Sequence, residues 1–219
     1  DFKSYFRSLP NLKYKNYILL SANFEGFGHQ KLNERIKFHE KTGYFLRGAS
    51  KKNMIKRFKD SQVLFKHYER SIKKLSKIHN NKQIIIRPHP KDDPKLWKKK
   101  FEKFENIKII SEGDHSDWIS NSKVVIHAGC TGGLEASLRG KKTISYYPLK
   151  VLHGHKFADS FSIKISSEKK LIDEISKCYE FTKSDPDVNN KMINKRSFNY
   201  NGDKSYKRIV ETWNNLGKK

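Results

Sequence analysis

The stretch Val124-Val125-Ile126-His127-Ala128-Gly129-Cys130-Thr131-Gly132-Gly133-Leu134-Glu135-Ala136 decides the fold. Its β-branched opening reads as a strand covered on both faces. Small residues and glycines follow, and a helix runs from there to Gly140, a residue suited to the left-handed position after a helix end. A strand passing through glycines into a helix is the repeating unit of a parallel α/β sheet.

The same unit recurs on either side. Tyr17-Ile18-Leu19-Leu20 is a short apolar strand that ends in the polar loop Ser21 to His29. From Ser50 to His79, Ile55, Phe58, Phe65, Tyr68, Ile72 and Leu75 recur at helical spacing, with Lys and Arg on the other face. Gln83-Ile84-Ile85-Ile86 is a second strand, stopped by Arg87-Pro88-His89-Pro90. Asp93 caps the next helix with Pro94 at its first position, and Trp97, Phe101 and Phe104 line its inner face. Ile107 to Ile110 is a third strand, Asp114 to Asn121 a short helical turn, Thr143 to Tyr147 a fifth strand and Phe161 to Ile165 a sixth. Two helices close the chain, Glu168 to Phe181 and one after the Asp203 cap. The expected fold is a Rossmann-like open parallel sheet with helices on both faces. Residues 1–15 read as an arm, 16–183 as the Rossmann-like domain, and 184–219 as a linker with a helix that packs on it.

Composition narrows the function classes. The 219 residues hold 47 Lys plus Arg against 23 Asp plus Glu, a net charge of +24. Fourteen Phe and ten Tyr supply more apolar area than a disordered tail carries. No run approaches the roughly 20 apolar residues of a membrane span, and Asp1 to Arg7 lacks the apolar core of a signal peptide. The charge invites nucleic acid as a partner, but only nine of the cations are Arg, the residue grooves use for bidentate contacts. Cys130 and Cys178 make no CxxC and no zinc spacing, so no metal is expected.

Ligands of an open parallel sheet bind beyond the carboxyl ends of its strands. That rule selects Ser21 to His29, Arg87 to Lys91, Glu112 to Ser116 and His127 to Gly133. The last loop, opened by His127, brings Gly129, Thr131 and Gly132 to a helix N-terminus, where N–H groups and a partial positive charge suit a phosphate. Glu135, about one turn in, can accept two hydrogen bonds from a vicinal diol such as a ribose. The same residues also suit a tight turn with glycines for packing and an acid near a helix start. Two prolines pin His89 so that it can donate to a phosphate oxygen, and Arg87 could do so bidentately. Asp114 to Asp117 serves either as a base-recognition loop or as a helix cap. His153-Gly154-His155 is a candidate donor contact.

A strand ending in RPHP, a D-W-I-S-x-S helix, VVIHAGCTGGLEA and a strand ending in Y-x-P together resemble the C-terminal, donor-binding half of GT-B glycosyltransferases. The sequence is most similar to surface carbohydrate and capsule polysaccharide biosynthesis proteins, including Kdo- and sialic-acid-transferring enzymes with an HP motif. The likeness spans about Tyr17 to Pro148. It implies that His89 contacts the donor phosphate, that Gly129, Thr131 and Gly132 cradle it, that Glu135 holds the ribose, and that Asn23 faces the interdomain cleft. The implied substrate is a CMP- or UDP-linked sugar, with no further cofactor. The implied partners are a glycan or glycolipid acceptor, an N-terminal domain or second chain completing the cleft, and an anionic membrane surface. The implied location is the cytoplasm, peripheral at the inner membrane face. A UDP-N-acetylglucosamine 2-epimerase-like isomerase, a basic nucleic-acid-binding domain and a catalytically silent binding domain are the competing readings, and nucleic acid ranks last of the binding partners.

Overall fold

A computed structural model describes residues 14–24, 31–151 and 156–180. Six strands, β1 (Tyr17–Ser21), β2 (Ile84–Arg87), β3 (Ile107–Ile109), β4 (Ser122–His127), β5 (Lys142–Tyr146) and β6 (Ile163–Ile165), form one sheet in the order β3-β2-β1-β4-β5-β6. All five pairings are parallel. The helices are α1 (Leu32–Lys41), α2 (Lys51–Ile78), α3 (Pro94–Phe101), α4 (His115–Asn121), α5 (Thr131–Leu138), α6 (Lys156–Asp159) and α7 (Glu168–Glu180), with a 3-10 turn at Phe45–Arg47. This is the doubly wound α/β architecture expected from the alternating strand and helix patterns.

Side chains alternate across the sheet. Ile18, Leu20, Ile84, Ile86, Val124 and Ile126 meet α2, α3 and α7 on one face. Tyr17, Leu19, Ile85 and Val125 meet Trp118 and Ile119 of α4 and Ala136 of α5 on the other. Continuous apolar strands are therefore needed, since both faces are covered.

The long helix α2 begins at Ser50, whose hydroxyl accepts from the Asn53 N–H at 3.2 Å. Its buried face runs through Met54, Ser61, Leu64, Phe65, Tyr68, Ile72 and Leu75. Ile55 and Phe58, expected inside, are half-buried, because the face turns by a residue toward its N-terminus. Phe24 packs edge-on against Phe65 (5.5 Å between centroids) and Tyr68 (5.0 Å), and Trp97 of α3 joins them. The Tyr68 hydroxyl donates to the carbonyls of His127 and Tyr146, 2.7 Å from each. One buried phenol thus ties the helix to the carboxyl ends of two strands.

Asp93 caps α3 through Lys95 N–H at 2.9 Å, with Pro94 leading the helix. Gly140 lies just past α5 with φ +71°, as its place in the sequence requires. That helix starts at Thr131 rather than after Gly133. α1, the 3-10 turn and α6 were not foreseen, and α1 buries none of its residues. The expected arm up to residue 13, the His153-Gly154-His155 contact, the 184–202 linker and the final helix lie outside the described residues. No helix among the described residues is long and apolar enough to cross a membrane.

Candidate functional site

β1 sits between β2 and β4, so the loops leaving it and its neighbours diverge around a crevice. A cleft of about 430 Å³ opens there, at the carboxyl ends of the strands. Ser21 and Ala22 line it from β1, Arg87 to Pro90 from β2, Ser111 and His115 from the loop after β3 and the start of α4, and Cys130 to Gly132 from the loop after β4. A larger and shallower groove of about 710 Å³ runs between β3 and α3 at the sheet edge, lined mainly by lysines and apolar side chains. None of the described residues of the four chemistry-bearing loops reaches it, so the cleft is the candidate site.

The β2 end is held rigidly. Asp92, 1% exposed, accepts from the His89 N–H at 3.3 Å and from Trp97 Nε1 at 3.2 Å, while its own N–H donates to the His89 carbonyl at 2.7 Å. His89 Nδ1 accepts from the Lys91 N–H at 3.1 Å. A neutral ring that accepts at Nδ1 carries its proton on Nε2, so His89 is set as a donor there. Asp92 was missed, although an acid three residues after the histidine was the available sign.

Arg87 differs from expectation. Its guanidinium donates to the carbonyl of Glu112, and to that of Gly113 at 2.8 Å, and lies 5.6 Å from the Trp118 ring centroid. The residue is 9% exposed. Its fork holds the 112–113 loop instead of offering a bidentate phosphate clamp. Burial lowers its pKa, and Glu112, Tyr17 and Asp114 oppose that shift.

His127 also differs. It is fully buried, with Nδ1 accepting the Gly129 N–H at 3.0 Å and Nε2 2.8 Å from Ser162 Oγ. Burial pushes its pKa down to about 3, so the ring is neutral. A histidine with both nitrogens engaged inside the protein is a brace for the loop, not a ligand contact. Gly129 meets it with φ +64°, a conformation that favours glycine.

The opening of α5 is bare of side chains for a structural reason. A Cβ on Gly132 would fall 2.3 Å from His115 Cε1 and 2.7 Å from Ser21 Oγ, and one on Gly133 would fall 2.4 Å from the His127 ring. Thr131 is exposed at the first helical position, beside the cleft. Cys130 precedes it without capping the helix. Its Sγ lies 3.2 Å from Ser21 Oγ, which in turn lies 3.1 Å from His115 Nε2. Burial raises the Cys130 pKa, and hydrogen bonds from Ser21 and the Gly133 and Gly132 backbone lower it.

The helix-cap reading of the 114–117 turn holds. Asp114 caps α4 through the Ser116 N–H at 2.7 Å, and His115 turns into the cleft. Burial lowers the His115 pKa, with Glu135 and Asp114 raising it and Arg87 and Arg139 lowering it. Glu135 lies outside the cleft lining, one Oε2 3.9 Å from His115 Nδ1 and Oε1 3.1 Å from Arg139 Nη2. Asn23 is half-buried beyond the lining. The structure thus gathers His89, Thr131, Gly132 and part of Arg87, adds Ser21, His115 and Cys130, and withdraws His127. Among the described residues, Asp92 is the one carboxylate that lines the cleft. Donors and a helix N-terminus therefore face a space suited to an anion.

No family model matches the chain, and no curated protein matches it either. Among solved structures it is similar to the UDP-GlcNAc 2-epimerase of Neisseria meningitidis bound to UDP-GlcNAc, at 17% identity over 84% of this chain and 40% of that one, with a TM-score of 0.45. The UDP-GlcNAc 2-epimerase of Methanocaldococcus jannaschii gives 16% identity, 97% and 48% coverage and a TM-score of 0.44. The glycotransferase of kitacinnamycin gives 10%, 91%, 43% and 0.47. The chain spans less than half the length of each of these structures.

Proposed function

We propose that the cleft binds the phosphates of a CMP- or UDP-linked sugar, and that the chain is the donor-binding half of a GT-B glycosyltransferase in cell-surface polysaccharide synthesis. One observation carries this reading: the N-terminus of α5, Thr131, His89 and His115 converge on a cleft at the sheet's switch point, and Asp92, its one lining carboxylate among the described residues, is occupied. In the transfer step an acceptor hydroxyl attacks the anomeric carbon. The bond from that carbon to the phosphate oxygen breaks, and its electron pair goes to the phosphate. Donors already aimed at the phosphate stabilise that developing charge, and the helix N-terminus adds its partial positive charge. Glu135, outside the lining but 3.9 Å from the cleft residue His115, is the proposed ribose contact. The acceptor and the base that removes its proton belong to the opposing domain.

Calorimetry with CMP, CDP and UDP tests the assignment. His89→Ala and Thr131→Ala should each weaken binding at least about tenfold, the equivalent of roughly 1.4 kcal/mol. Undiminished affinity in both, with circular dichroism unchanged, would refute it. The isomerase reading uses the same loops and needs acid and base carboxylates across the cleft, so this half of the site supports it equally. Turnover of UDP-N-acetylglucosamine alone, without acceptor, would decide for isomerisation.

A further inference from the structure

Between β1 and α2 the chain builds a knob that the proposed site does not use. His39 lies at its centre, with ring centroids of Phe38, Tyr44 and Phe45 at 5.6, 4.4 and 6.0 Å. Gly43 and Gly48, at φ +65° and +84°, bracket the turn that carries Leu46. Arg47 steadies it by donating to the Thr42 carbonyl at 3.2 Å. The result is an aromatic knob with its apolar tips outward: Leu46 is 92% exposed, Phe38 54% and Tyr44 42%.

A single exposed leucine needs no explanation. Three large apolar side chains on one small knob, ringed by cations, are different. Lys37, Lys41, Arg47, Lys51 and Lys52 are all exposed around it. Residues 31–60 hold ten Lys or Arg against three Asp or Glu. All three acids are already engaged, Glu40 with Lys51 at 2.6 Å, Asp60 with Lys56 at 2.7 Å and Glu34 with the Lys31 N–H at 3.0 Å. A polyanion such as nucleic acid would use the cations and can stack bases on an aromatic ring, but has no use for the aliphatic tip Leu46, 92% exposed. A lipid surface uses both, because apolar tips enter the acyl boundary while Lys and Arg meet the headgroups.

We infer that the Phe38–Arg47 knob docks this domain on an anionic bilayer, with Leu46 as the inserted tip. The inference does not depend on what the cleft binds. Cosedimentation of the full chain with vesicles of phosphatidylcholine alone, or with 30% phosphatidylglycerol, reads it directly. Binding should require the anionic lipid. L46E and F38E should each weaken it at least about tenfold, as loss of an inserted apolar side chain implies. K41Q and R47Q should each cost about fivefold, whereas K108Q and K164Q, exposed cations on strands β3 and β6, should leave it unchanged. A fluorophore at L46C should shift to the blue on anionic vesicles only, and both native cysteines are buried, so labelling is selective. Absence of binding, equal binding to both vesicle types, or an L46E chain that binds as well as the parent would each overturn the inference. So would K108Q and K164Q losses equal to those of K41Q and R47Q, since bulk charge would then suffice.

Discussion

Gly132 and Gly133 are neighbours at the start of α5, and alanine at the two positions should fail in different ways. At Gly133 the new methyl would lie 2.4 Å from His127 Cε1 and Nε2 and 2.5 Å from Cδ2. The ring has no exposure and is held at 3.0 Å by the Gly129 N–H and at 2.8 Å by Ser162. It must retreat by about 1 Å to reach ordinary contact, and no direction is open without losing one of those bonds. Overpacking of this kind costs about 1–3 kcal/mol, and a buried polar group left unpaired about 1–3 kcal/mol more. Alanine's better helix propensity returns up to about 1 kcal/mol. A net loss of about 1–6 kcal/mol lowers the Tm of a chain this long by roughly 2–24 °C. At Gly132 the methyl meets His115, whose side chain is 31% exposed, and the Ser21 hydroxyl. Both can swing aside for the loss of one partly buried hydrogen bond, so stability should change by no more than about 1 kcal/mol. The methyl then occupies the cleft floor, and nucleotide affinity should fall at least about tenfold. Thermal unfolding followed by circular dichroism, paired with calorimetry on UDP and CMP, separates the two. A G133A chain that melts within about 1 °C of the parent, or a G132A chain that is the less stable of the pair, would refute the reasoning.

Two further outcomes follow from buried polar groups. Asn106 donates through Nδ2 to the carbonyls of Ser76, His79 and Lys82 and accepts from Ser76 Oγ, clamping the end of α2 to the start of β3. Asn106→Asp places a carboxylate against three carbonyls and should cost about 3 kcal/mol or more, with Asn106→Ala costing about 2; urea unfolding in which N106D sits within about 0.5 kcal/mol of the parent would contradict this. Stability should also depend on pH through His127, whose ring binds a proton near 6.5 when unfolded and only near 3 when folded. The unfolded state holds the extra proton between those values, so stability is complete above about 6.5 and declines as pH falls, by up to about 1.4 kcal/mol per unit. His115 and His79, also lowered by burial, add to the upper part of that window. A urea midpoint that does not move between pH 7 and 5 would count against it.

Much of the fold was legible because the informative residues act locally. The β-branched runs at Ile84 and Val124 are strands, Asp93-Pro94 starts a helix, and Gly140 ends one. α1 was not legible, since Leu32, Ile36 and Phe38 make no continuous stripe and the helix buries nothing. In the site, the loops were legible from topology, but the direction of each side chain was not. Arg87 and His127 carry ligand-binding chemistry in any sequence motif. Only the fold shows that carbonyls of Glu112 and Gly113 absorb the one, and that Ser162, thirty-five residues away, absorbs the other. His115 shows the reverse case. A residue beside a helix cap becomes a cleft residue because Gly132 leaves room for its ring.

The parallel pairing of β1 bears on how the chain is made. Ile18 pairs with Ile84 and Val124, 66 and 106 residues further along. At a synthesis rate of about 5–20 residues per second, the central strand waits roughly 3–20 s for its neighbours to emerge. During that wait Tyr17-Ile18-Leu19-Leu20 is an unpaired apolar edge, and α1 and α2 emerge before β2, the long α2 forming from local contacts and carrying a dense row of lysines. Self-repulsion between nascent chains through that row would keep the waiting strand from pairing with a copy of itself. The lysine excess is then a property that protects the chain before it has a fold, as much as one that decorates the finished surface.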